Sequence, residues 1–339
     1  MSRATIQAID RDQALRFWQG QRDGRIFLHP DVLESMCPQV DWWLGSWNTW
    51  PACLWPVCHG ADGIHAPPEL AAYVGPIWAD DTLAGPAHRQ WTTTSRLQEL
   101  FLQEFATRYR RFRFELPPGS TDIRVLQWFA REHAAAWRVD IDCRHTLVLH
   151  RPATVDAASV AAGFGRDRAA DLRLMARKSY VDAGAVDAGE LYALYEQLIA
   201  GKQEPAKALR RQAEVQALVS LAQGGFGRIV GYRDDDGALA SFALTMGTGP
   251  TIVQPLTASA AAVRKDGIQA RVRLDAMLQA FQGGAQVVDL TGGNSRAGAE
   301  DLHRYGGEAR MYFRVDVAPA PGTGDTVSAG HDERSGRDE

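Results

Sequence analysis

The chain has 339 residues, 45 % of them hydrophobic and 23 % charged, a balance typical of soluble globular proteins, and this length predicts two domains. The 37 basic and 41 acidic residues leave a net charge of −4, which argues against a protein whose main task is to bind duplex DNA, because such proteins carry an excess of positive charge. The sequence contains neither an apolar run long enough to predict a membrane span nor the apolar core of a signal peptide, and its four cysteines lack the spacing of a zinc site. We therefore expect a cytoplasmic protein with reduced thiols and no metal.

The first half of the chain predicts alternating helices and strands and contains all ten tryptophans. Its predicted elements are a helix over 13–19, a hairpin over 40–58 that turns at Asn48-Thr49, a strand over 73–78, a helix over 95–111, a strand over 113–116, a helix over 123–131, and strands over 137–141 and 144–150. Because adjacent side chains of a strand face opposite sides, we expect one of Trp42 and Trp43 to lie outside the core. Edge protection or a contact between lobes explains such a tryptophan better than stacking on a sugar ring or base.

The second half repeats this order of elements. It predicts helices over 190–199 and 205–222, strands over 228–232 and 239–246 joined by the turn Asp234–Gly237, a strand over 251–257, a helix over 266–282, a strand over 286–290, a short helix over 299–304 and a strand over 309–317. The repetition predicts a duplication, with an N-terminal lobe over 1–152, a C-terminal lobe over 153–317 and a disordered tail over 318–339. Since a helical crossover returns the chain in the same direction, each lobe is predicted to be an α/β (α+β) unit whose mixed, mostly antiparallel sheet is flanked by helices.

Three stretches of the second half carry a resemblance to a known family. Residues 171–178 (DLRLMARK) resemble the pattern N-x-R-R-x-I-R-K, residues 287–292 (VVDLTG) resemble F-D-F-x-G, and residues 299–307 (AEDLHRYGG) resemble I-x-x-F-K-x-x-F-G-G. In this order they resemble the FemAB-like branch of the GNAT acyltransferase superfamily, over about residues 10–317. The resemblance implies a tandem pair of GNAT-like lobes, of which the first helps to bind the acceptor and the second binds the donor. It also implies transfer of an acyl group to an amine without a covalent nucleophile from the protein.

The resemblance places the acyl donor where two parallel strands of the second lobe separate. The strand over 251–257 would then contact the donor around Gln254 and Leu256. The turn after the strand over 286–290 would contact it through Asn294.

The helix that follows the strand over 251–257 begins with a partial phosphate-loop pattern. Arg264, Lys265 and Gly267 half-match R-x-x-G-x-G/A, with Gln269 where glycine or alanine is usual. A helix N-terminus favours an anion, so the cations fit a phosphate ligand. In an equally good interpretation, Arg264 and Lys265 are solvated cations whose charge Asp266 partly neutralises.

Three residues are candidates for catalysis. Asp289 interrupts an apolar strand and is either a general base for the amine or a structural cap of the turn Gly292–Asn294. By the resemblance, His303 would steady the oxyanion, although a lone histidine on a short helix is more often a surface residue. Tyr305 would either pack or donate a proton to the leaving group.

The candidate acceptor-binding residues are Arg173, Arg177 and Trp78. The two arginines are four residues apart on a predicted helix and would clamp a diphosphate, or else they are solvated cations at a helix C-terminus. Trp78 ends the predicted strand over 73–78 of the first lobe.

These features favour a cytoplasmic N-acyltransferase. Its donor is expected to be acyl-CoA, with aminoacyl-tRNA as the alternative, because the near-neutral chain shows no basic surface for tRNA. The acceptor is expected to be an amine of a sugar or peptide-like glycan precursor in cell-envelope polysaccharide or peptidoglycan metabolism, with peripheral association with the envelope biosynthesis machinery. The alternative is a binding or scaffold protein that retains the fold without turnover.

Overall fold

The computed structural model describes residues 3–22, 25–60, 63–120, 122–199 and 205–321. The first half contains β1 (Ala4–Ile9), α1 (Arg11–Gln19), α2 (Pro30–Met36), β2 (Val40–Trp47), β3 (Trp50–Cys58), β4 (Ile77–Trp78), α3 (Asp80–Leu83), α4 (Ala87–Arg108), β5 (Phe112–Leu116), α5 (Arg124–Glu132) and β6 (Trp137–His150). The second half contains α6 (Ala157–Ala161), α7 (Arg166–Met175), β7 (Val181–Asp182), α8 (Ala188–Ile199), α9 (Pro205–Leu221), β8 (Gly227–Arg233), β9 (Leu239–Met246), β10 (Thr251–Ser259), α10 (Ile268–Gln282), β11 (Val287–Asp289), α11 (Arg296–His303) and β12 (Glu308–Pro319). The predicted elements occur in this order, and β1, α2, α3, α6 and β7 are additional elements that the sequence analysis did not predict.

Local sequence signals explain where several elements begin and turn. α1 starts at a capping box, in which the Asp10 carboxylate accepts the Gln13 N–H at 2.7 Å and the Gln13 side chain accepts the Asp10 N–H at 3.1 Å. The hairpin between β2 and β3 turns at Asn48, which adopts φ = 57°. Both signals are short-range, so they can be recognised in the sequence alone.

The predicted strand over 73–78 is wrong for most of its length. Only Ile77–Trp78 pair with β3, because Tyr73 adopts φ = 60° and Gly75 packs against the main chain of Glu115. A side chain at Gly75 would bring its Cβ within 2.3 Å of the Glu115 carbonyl oxygen. The strands predicted over 137–141 and 144–150 form the single strand β6.

The strands form a four-stranded sheet in the order β1-β2-β3-β4 and an eight-stranded sheet in the order β5-β12-β6-β11-β10-β9-β8-β7. The smaller sheet is antiparallel throughout, and α4 packs against it. In the larger sheet, β10 and β11 are parallel and joined by α10, as the helical crossover predicts. The mixed α/β fold expected from the sequence is confirmed.

The larger sheet crosses the predicted lobe boundary at residue 152. The C-terminal strand β12 lies between two first-half strands and pairs antiparallel with both, so that Phe313 is opposite Leu116 of β5 and Cys143 of β6. The boundary therefore divides the sequence but not the sheet. β12 extends to Pro319, and residues 322–339 of the predicted tail lie outside the described residues.

The lobes also share hydrophobic core. One cluster joins Phe27 and Trp42 of the first half to Leu191 and Phe242 of the second. Burial of each such side chain stabilises the fold by about 1.5–3 kcal/mol. The expectation that one of Trp42 and Trp43 lies outside the core is wrong, since they are 3 % and 4 % exposed; they face opposite sides, but both faces of their strand are covered.

Among the described helices, none is both long enough and apolar enough to cross a membrane.

Candidate functional site

The parallel strands β10 and β11 separate after three residue pairs. Their last pair is Val253 with Asp289, and beyond it β10 continues to Ser259 in pairing with β9. The chain after β11 turns towards β6, because the Leu290 N–H donates to the Leu147 carbonyl at 2.9 Å. Ladder pairing between the two strands thus ends at this pair, and we call the region between them beyond it the wedge.

The edge of the wedge is formed by an irregular part of β10. Gln254 and Pro255 form a bulge against β9, and the side chain of Gln254 is buried with both amide atoms lacking a hydrogen-bond partner. Leu256 follows as a buried residue. Thr291 spans the wedge, since its hydroxyl donates to the Gln254 carbonyl at 2.9 Å. A buried amide without a partner costs free energy, so this edge is suited to a ligand that pairs with amides.

Asp289, at the end of β11, is the centre of a buried hydrogen-bond network. It is 3 % exposed, and its carboxylate accepts the Tyr73 hydroxyl at 2.9 Å, the Thr291 N–H at 2.9 Å and the Thr146 hydroxyl. Burial raises the pKa of Asp289, and these hydrogen bonds act in the opposite direction. The bond to Thr291 matches the predicted role as a cap of the following turn. The bond to Tyr73 joins the lobes at the same carboxylate, which the sequence did not predict.

Tyr73 is held in a strained backbone conformation by a second buried carboxylate. Tyr73 adopts φ = 60°, a value that residues with large side chains rarely adopt. Backbone strain of this kind is typical of functional sites. Glu115 accepts the Tyr73 N–H at 2.9 Å and, through its other oxygen, Arg314 Nε and Nη2 at 3.0 and 2.8 Å. This ion pair positions Tyr73 over Asp289.

Asp289 lines a cavity of about 190 Å³ between the lobes. Its floor is the larger sheet, with Val148, Val253 and Val287, and its roof is formed by first-lobe loops that include Arg25 and Tyr73. The remaining lining residues are Ile26, Phe27, Ala72, Pro117, Pro118, Thr251 and Arg310. The cavity is apolar except for a few polar groups, as small-molecule sites usually are.

The structure does not bring the three catalytic candidates together. Tyr305 belongs to the core cluster that contains Leu147 and Val288, whereas Asp289 opens into the cavity lined by Val148. Neighbouring residues of a strand face opposite sides, so Asp289 and Tyr305 lie on opposite faces of the sheet. His303 is exposed at the end of α11.

Tyr305 is fully buried beside two arginines. The guanidinium carbons of Arg168 and Arg273 lie 5.2 and 4.9 Å from the ring centre, and the hydroxyl has no hydrogen-bond partner. Burial raises the pKa of Tyr305 to about 12, so the phenol is neutral. Packing accounts for the ring, and the role of the hydroxyl as a proton donor stays a prediction.

The predicted phosphate loop lies in the connection between β10 and α10, where Arg264 and Lys265 belong to the last turn of a short 3-10 helix, Ala261–Asp266, and not to the start of α10 as the sequence predicted. Arg264 and Lys265 are exposed, and Gly267 adopts φ = 79°. A Cβ at Gly267 would lie 2.2 Å from the Asp171 carbonyl oxygen, so α7 packs directly against this loop. The Asp266 carboxylate forms an ion pair with Lys178 Nζ at 3.1 Å and accepts a hydrogen bond from the Tyr180 hydroxyl at 2.6 Å.

The predicted acceptor residues are in two different places. Arg173 is exposed near the end of α7, and Arg177 lies in the turn beyond that helix, so the predicted common helical face is wrong. Arg177 precedes Lys178, whose contact with Asp266 places this segment beside the phosphate loop. Trp78 lines a separate cavity of the first lobe.

Asn294, predicted to bind the donor, has both polar atoms engaged. Its Oδ1 accepts the His145 N–H at 2.8 Å, and its Nδ2 donates to the Tyr312 hydroxyl at 2.9 Å. These bonds tie the turn after β11 to β6 and β12.

Sequence reasoning missed Tyr73, Thr146 and Glu115. The strand pattern around Tyr73 hid its role, although Gly75-Pro76 within the predicted strand was a signal that the strand is interrupted. Thr146 and Glu115 lie in strands, where the sequence did not distinguish them from other polar strand residues. Within the described residues, no group of three or more histidine, cysteine or acidic side chains is arranged to bind a metal ion.

No protein-family model matches the chain, and no curated protein matches it significantly. Solved structures do match. FemX aligns with a TM-score of 0.62 at 10 % identity, covering 91 % of this chain and 96 % of that one. A tandem GNAT protein from the clavulanic acid biosynthesis pathway aligns with a TM-score of 0.53 at 14 % identity, covering 95 % and 100 %. L-PGS from Bacillus licheniformis aligns with a TM-score of 0.52 at 10 % identity, covering 91 % and 92 %. The chain therefore has a FemAB-like duplicated GNAT fold.

Proposed function

We propose that the protein is an N-acyltransferase that moves an acyl group from acyl-CoA to a primary amine. The observation that carries this proposal is the wedge between β10 and β11, which ends at the buried carboxylate of Asp289 and its cavity. The donor would enter along the wedge. The amine would approach from the cavity between the lobes.

The residues along the wedge fit the chemistry of acyl-CoA. The pantetheine arm carries amide groups that can pair with the unpartnered side chain of Gln254 and with the strand edge near Leu256. Arg264 and Lys265, exposed in the 3-10 turn that precedes α10, suit its phosphates.

The proposed reaction needs a proton acceptor near the amine. The nitrogen attacks the thioester carbonyl, a C–N bond forms, the C–S bond breaks, and the proton lost by nitrogen ends on the thiol of CoA. Asp289 accepts that proton, either directly or through the Tyr73 hydroxyl that donates to it. Burial raises the pKa of Asp289, and a carboxylate with a raised pKa is a stronger base than an exposed one.

The acceptor we propose is an amine of a sugar or peptide-like molecule of cell-envelope polysaccharide or peptidoglycan metabolism, used in the cytoplasm. Acyl-CoA is preferred over aminoacyl-tRNA because the chain carries a net charge of −4 and tRNA binding favours a basic surface.

Thermal unfolding with acetyl-CoA and longer acyl-CoA compounds tests donor binding. A ligand at 100 times its Kd stabilises the native state by about 2.7 kcal/mol, so the melting temperature should rise with concentration. The double variant Arg264→Ala/Lys265→Ala should reduce the rise. Arg296→Ala is the matched control, since Arg296 is an exposed arginine on α11 that pairs with Glu300. If no acyl-CoA raises the melting temperature, the proposal is wrong, and a rise with charged tRNA alone would assign the alternative donor.

A binding protein without turnover is the second candidate. The three predicted catalytic residues are separated, which favours binding without turnover. Such a protein would bind a donor without forming an acylated product. A hydrolysis-corrected assay of free thiol release in the presence of amines distinguishes the two, because the transferase must release one thiol per acylated amine.

A further inference from the structure

The loop that covers Asp289 has no regular secondary structure. It runs over residues 68–76, outside the helices and strands, and we call it the roof loop. Ala72 and Tyr73 of this loop line the cavity at Asp289. A segment outside helices and strands depends on contacts with other elements for its shape. The position of the Tyr73 hydroxyl on Asp289 therefore depends on the residues that hold the roof loop.

One end of the roof loop is held by α9 of the second lobe. The two carboxylate oxygens of Glu214 each accept one main-chain N–H, from Glu69 at 3.1 Å and from Leu70 at 2.9 Å. The Glu69 carboxylate also forms an ion pair with Arg211, which lies three residues before Glu214 on α9. Residues three apart share a helical face, so one face of α9 binds both the main chain and a side chain of the loop.

A carboxylate is costly at the position of Glu214 unless it binds the loop. Glu214 is 3 % exposed, on a helix whose other buried residues include Val215 and Leu218. Burial raises the pKa of Glu214, whereas the Leu70 N–H and the nearby arginines of α9 act in the opposite direction. A buried carboxylate is tolerated when hydrogen bonds compensate its lost hydration, and the two loop N–H groups supply such bonds. A residue that only packed α9 would not need a carboxylate.

The other end of the roof loop is held from the first lobe. Glu115 of β5 accepts the Tyr73 N–H at 2.9 Å. Only two residues separate Leu70 from Tyr73, so the chain between the two carboxylates is short, and a shift at Leu70 displaces Tyr73. The Tyr73 hydroxyl donates to Asp289 at 2.9 Å, and hydrogen bonds weaken when their length or angle changes.

We propose that Glu214 is a positioning residue of the site: by fixing the roof loop to the second lobe, it holds the Tyr73 hydroxyl on the Asp289 carboxylate. Glu214 acts through Tyr73 and is not itself a catalytic residue. This inference rests on the proposed function for the reaction at Asp289. The coupling between Glu214 and Tyr73, however, is a property of the folded chain and can be measured without any transfer.

Glu214→Gln tests the proposal in the full chain, because it keeps the size of the side chain and leaves one oxygen to accept the two N–H groups. Hydrogen exchange measured by mass spectrometry reports on peptides that contain residues 69–73. We expect these amides to exchange about tenfold faster in Glu214→Gln, and less than that in Glu214→Asp, which keeps both oxygens. Glu190→Gln is the matched control, since Glu190 lies on α8 and pairs with Arg233 at 2.7 Å.

A double-mutant cycle separates positioning from a merely structural role. The unfolding equilibrium constant is measured in urea for Glu214→Gln, for Tyr73→Phe and for the double variant. If Glu214 places Tyr73 on Asp289, the double variant should raise this constant by about threefold less than the product of the two single factors, because the hydrogen bond that Tyr73→Phe removes is already weakened. Independent residues give the product within about twofold. Glu214→Asp replaces Glu214→Gln in the cycle if the latter does not fold.

Steady-state rates give a third measurement. Glu214→Gln should lower kcat for acyl transfer by about 10- to 100-fold, because it misplaces a group at the reacting centre, and leave the KM for acyl-CoA unchanged. Glu214→Asp should recover part of this loss.

Each outcome supports or overturns the proposal. Faster exchange of the roof loop in Glu214→Gln but not in Glu190→Gln, with a double variant below the product, would support it even if the chain transfers no acyl group. Unchanged exchange, or single factors that multiply in the double variant, would overturn it and leave the proposed function intact. A rise in the KM for acyl-CoA as large as the fall in kcat would also overturn it, since Glu214 would then shape the donor site.

Discussion

The substitution Tyr73→Phe removes one hydroxyl from the network around Asp289 and keeps the aromatic ring. In the folded chain that hydroxyl donates to Asp289 Oδ2 at 2.9 Å, and the carboxylate is 3 % exposed. A hydrogen bond to a charged group contributes about 1.5–3 kcal/mol. We expect Tyr73→Phe to lower the free energy of unfolding by this amount at a pH where Asp289 is ionised.

The effect of this substitution depends on pH, and its sign follows from the pKa of Asp289. Burial raises that pKa above its unfolded value, so the folded protein loses stability as pH rises from the unfolded pKa towards the folded one. Tyr73→Phe removes one of the hydrogen bonds that favour the ionised form and therefore raises the pKa further. The difference between the variant and the wild type should widen as pH rises through the folded pKa and fall to about 1 kcal/mol or less where Asp289 is protonated.

Urea unfolding over a series of pH values measures this difference. Tyr312→Phe is the matched control, because the Tyr312 ring lies 5.0 Å from the Tyr73 ring while its hydroxyl accepts a hydrogen bond from Asn294. That control should lose about 0.5–1.5 kcal/mol, with no dependence on the ionisation of Asp289. An equal loss for Tyr73→Phe at every pH, or no loss at all, would refute the reasoning.

Three further substitutions test the site. Asp289→Asn should reduce kcat for acyl transfer by about 10²–10⁴-fold and make the fall in stability with rising pH smaller than in the wild type, as measured by steady-state rates and urea unfolding. Glu115→Gln should cost about 1.5–3 kcal/mol in urea unfolding, because it removes the charge that pairs with the partly buried Arg314; acyl-CoA binding should be unchanged. Gly267→Ala should cost more stability than Gly284→Ala, since both glycines have positive φ but only the first would bring a Cβ against the Asp171 carbonyl oxygen; equal losses would contradict the packing of α7 on this loop.

Much of the chain's local structure could be predicted from its sequence. The helices from α8 to α10 and the strands β8 to β10 follow periodicity and turn signals that depend on neighbouring residues. The parallel pairing of β10 with β11 follows from the helical crossover between them. The motif order was sufficient to predict the duplicated GNAT fold, because the motifs mark the elements around the wedge.

Only the tertiary structure decided which residues share a site. Asp289 and Tyr305 both belong to motifs of the second half, yet strand alternation and packing place them on opposite faces of one sheet. Tyr73 reaches Asp289 from the other half of the chain, and its backbone conformation depends on Glu115. Such contacts join residues far apart in sequence, and no local periodicity encodes them. They arise when β12 inserts between β5 and β6 and the packed cores of the two lobes determine which loops cover the end of β11.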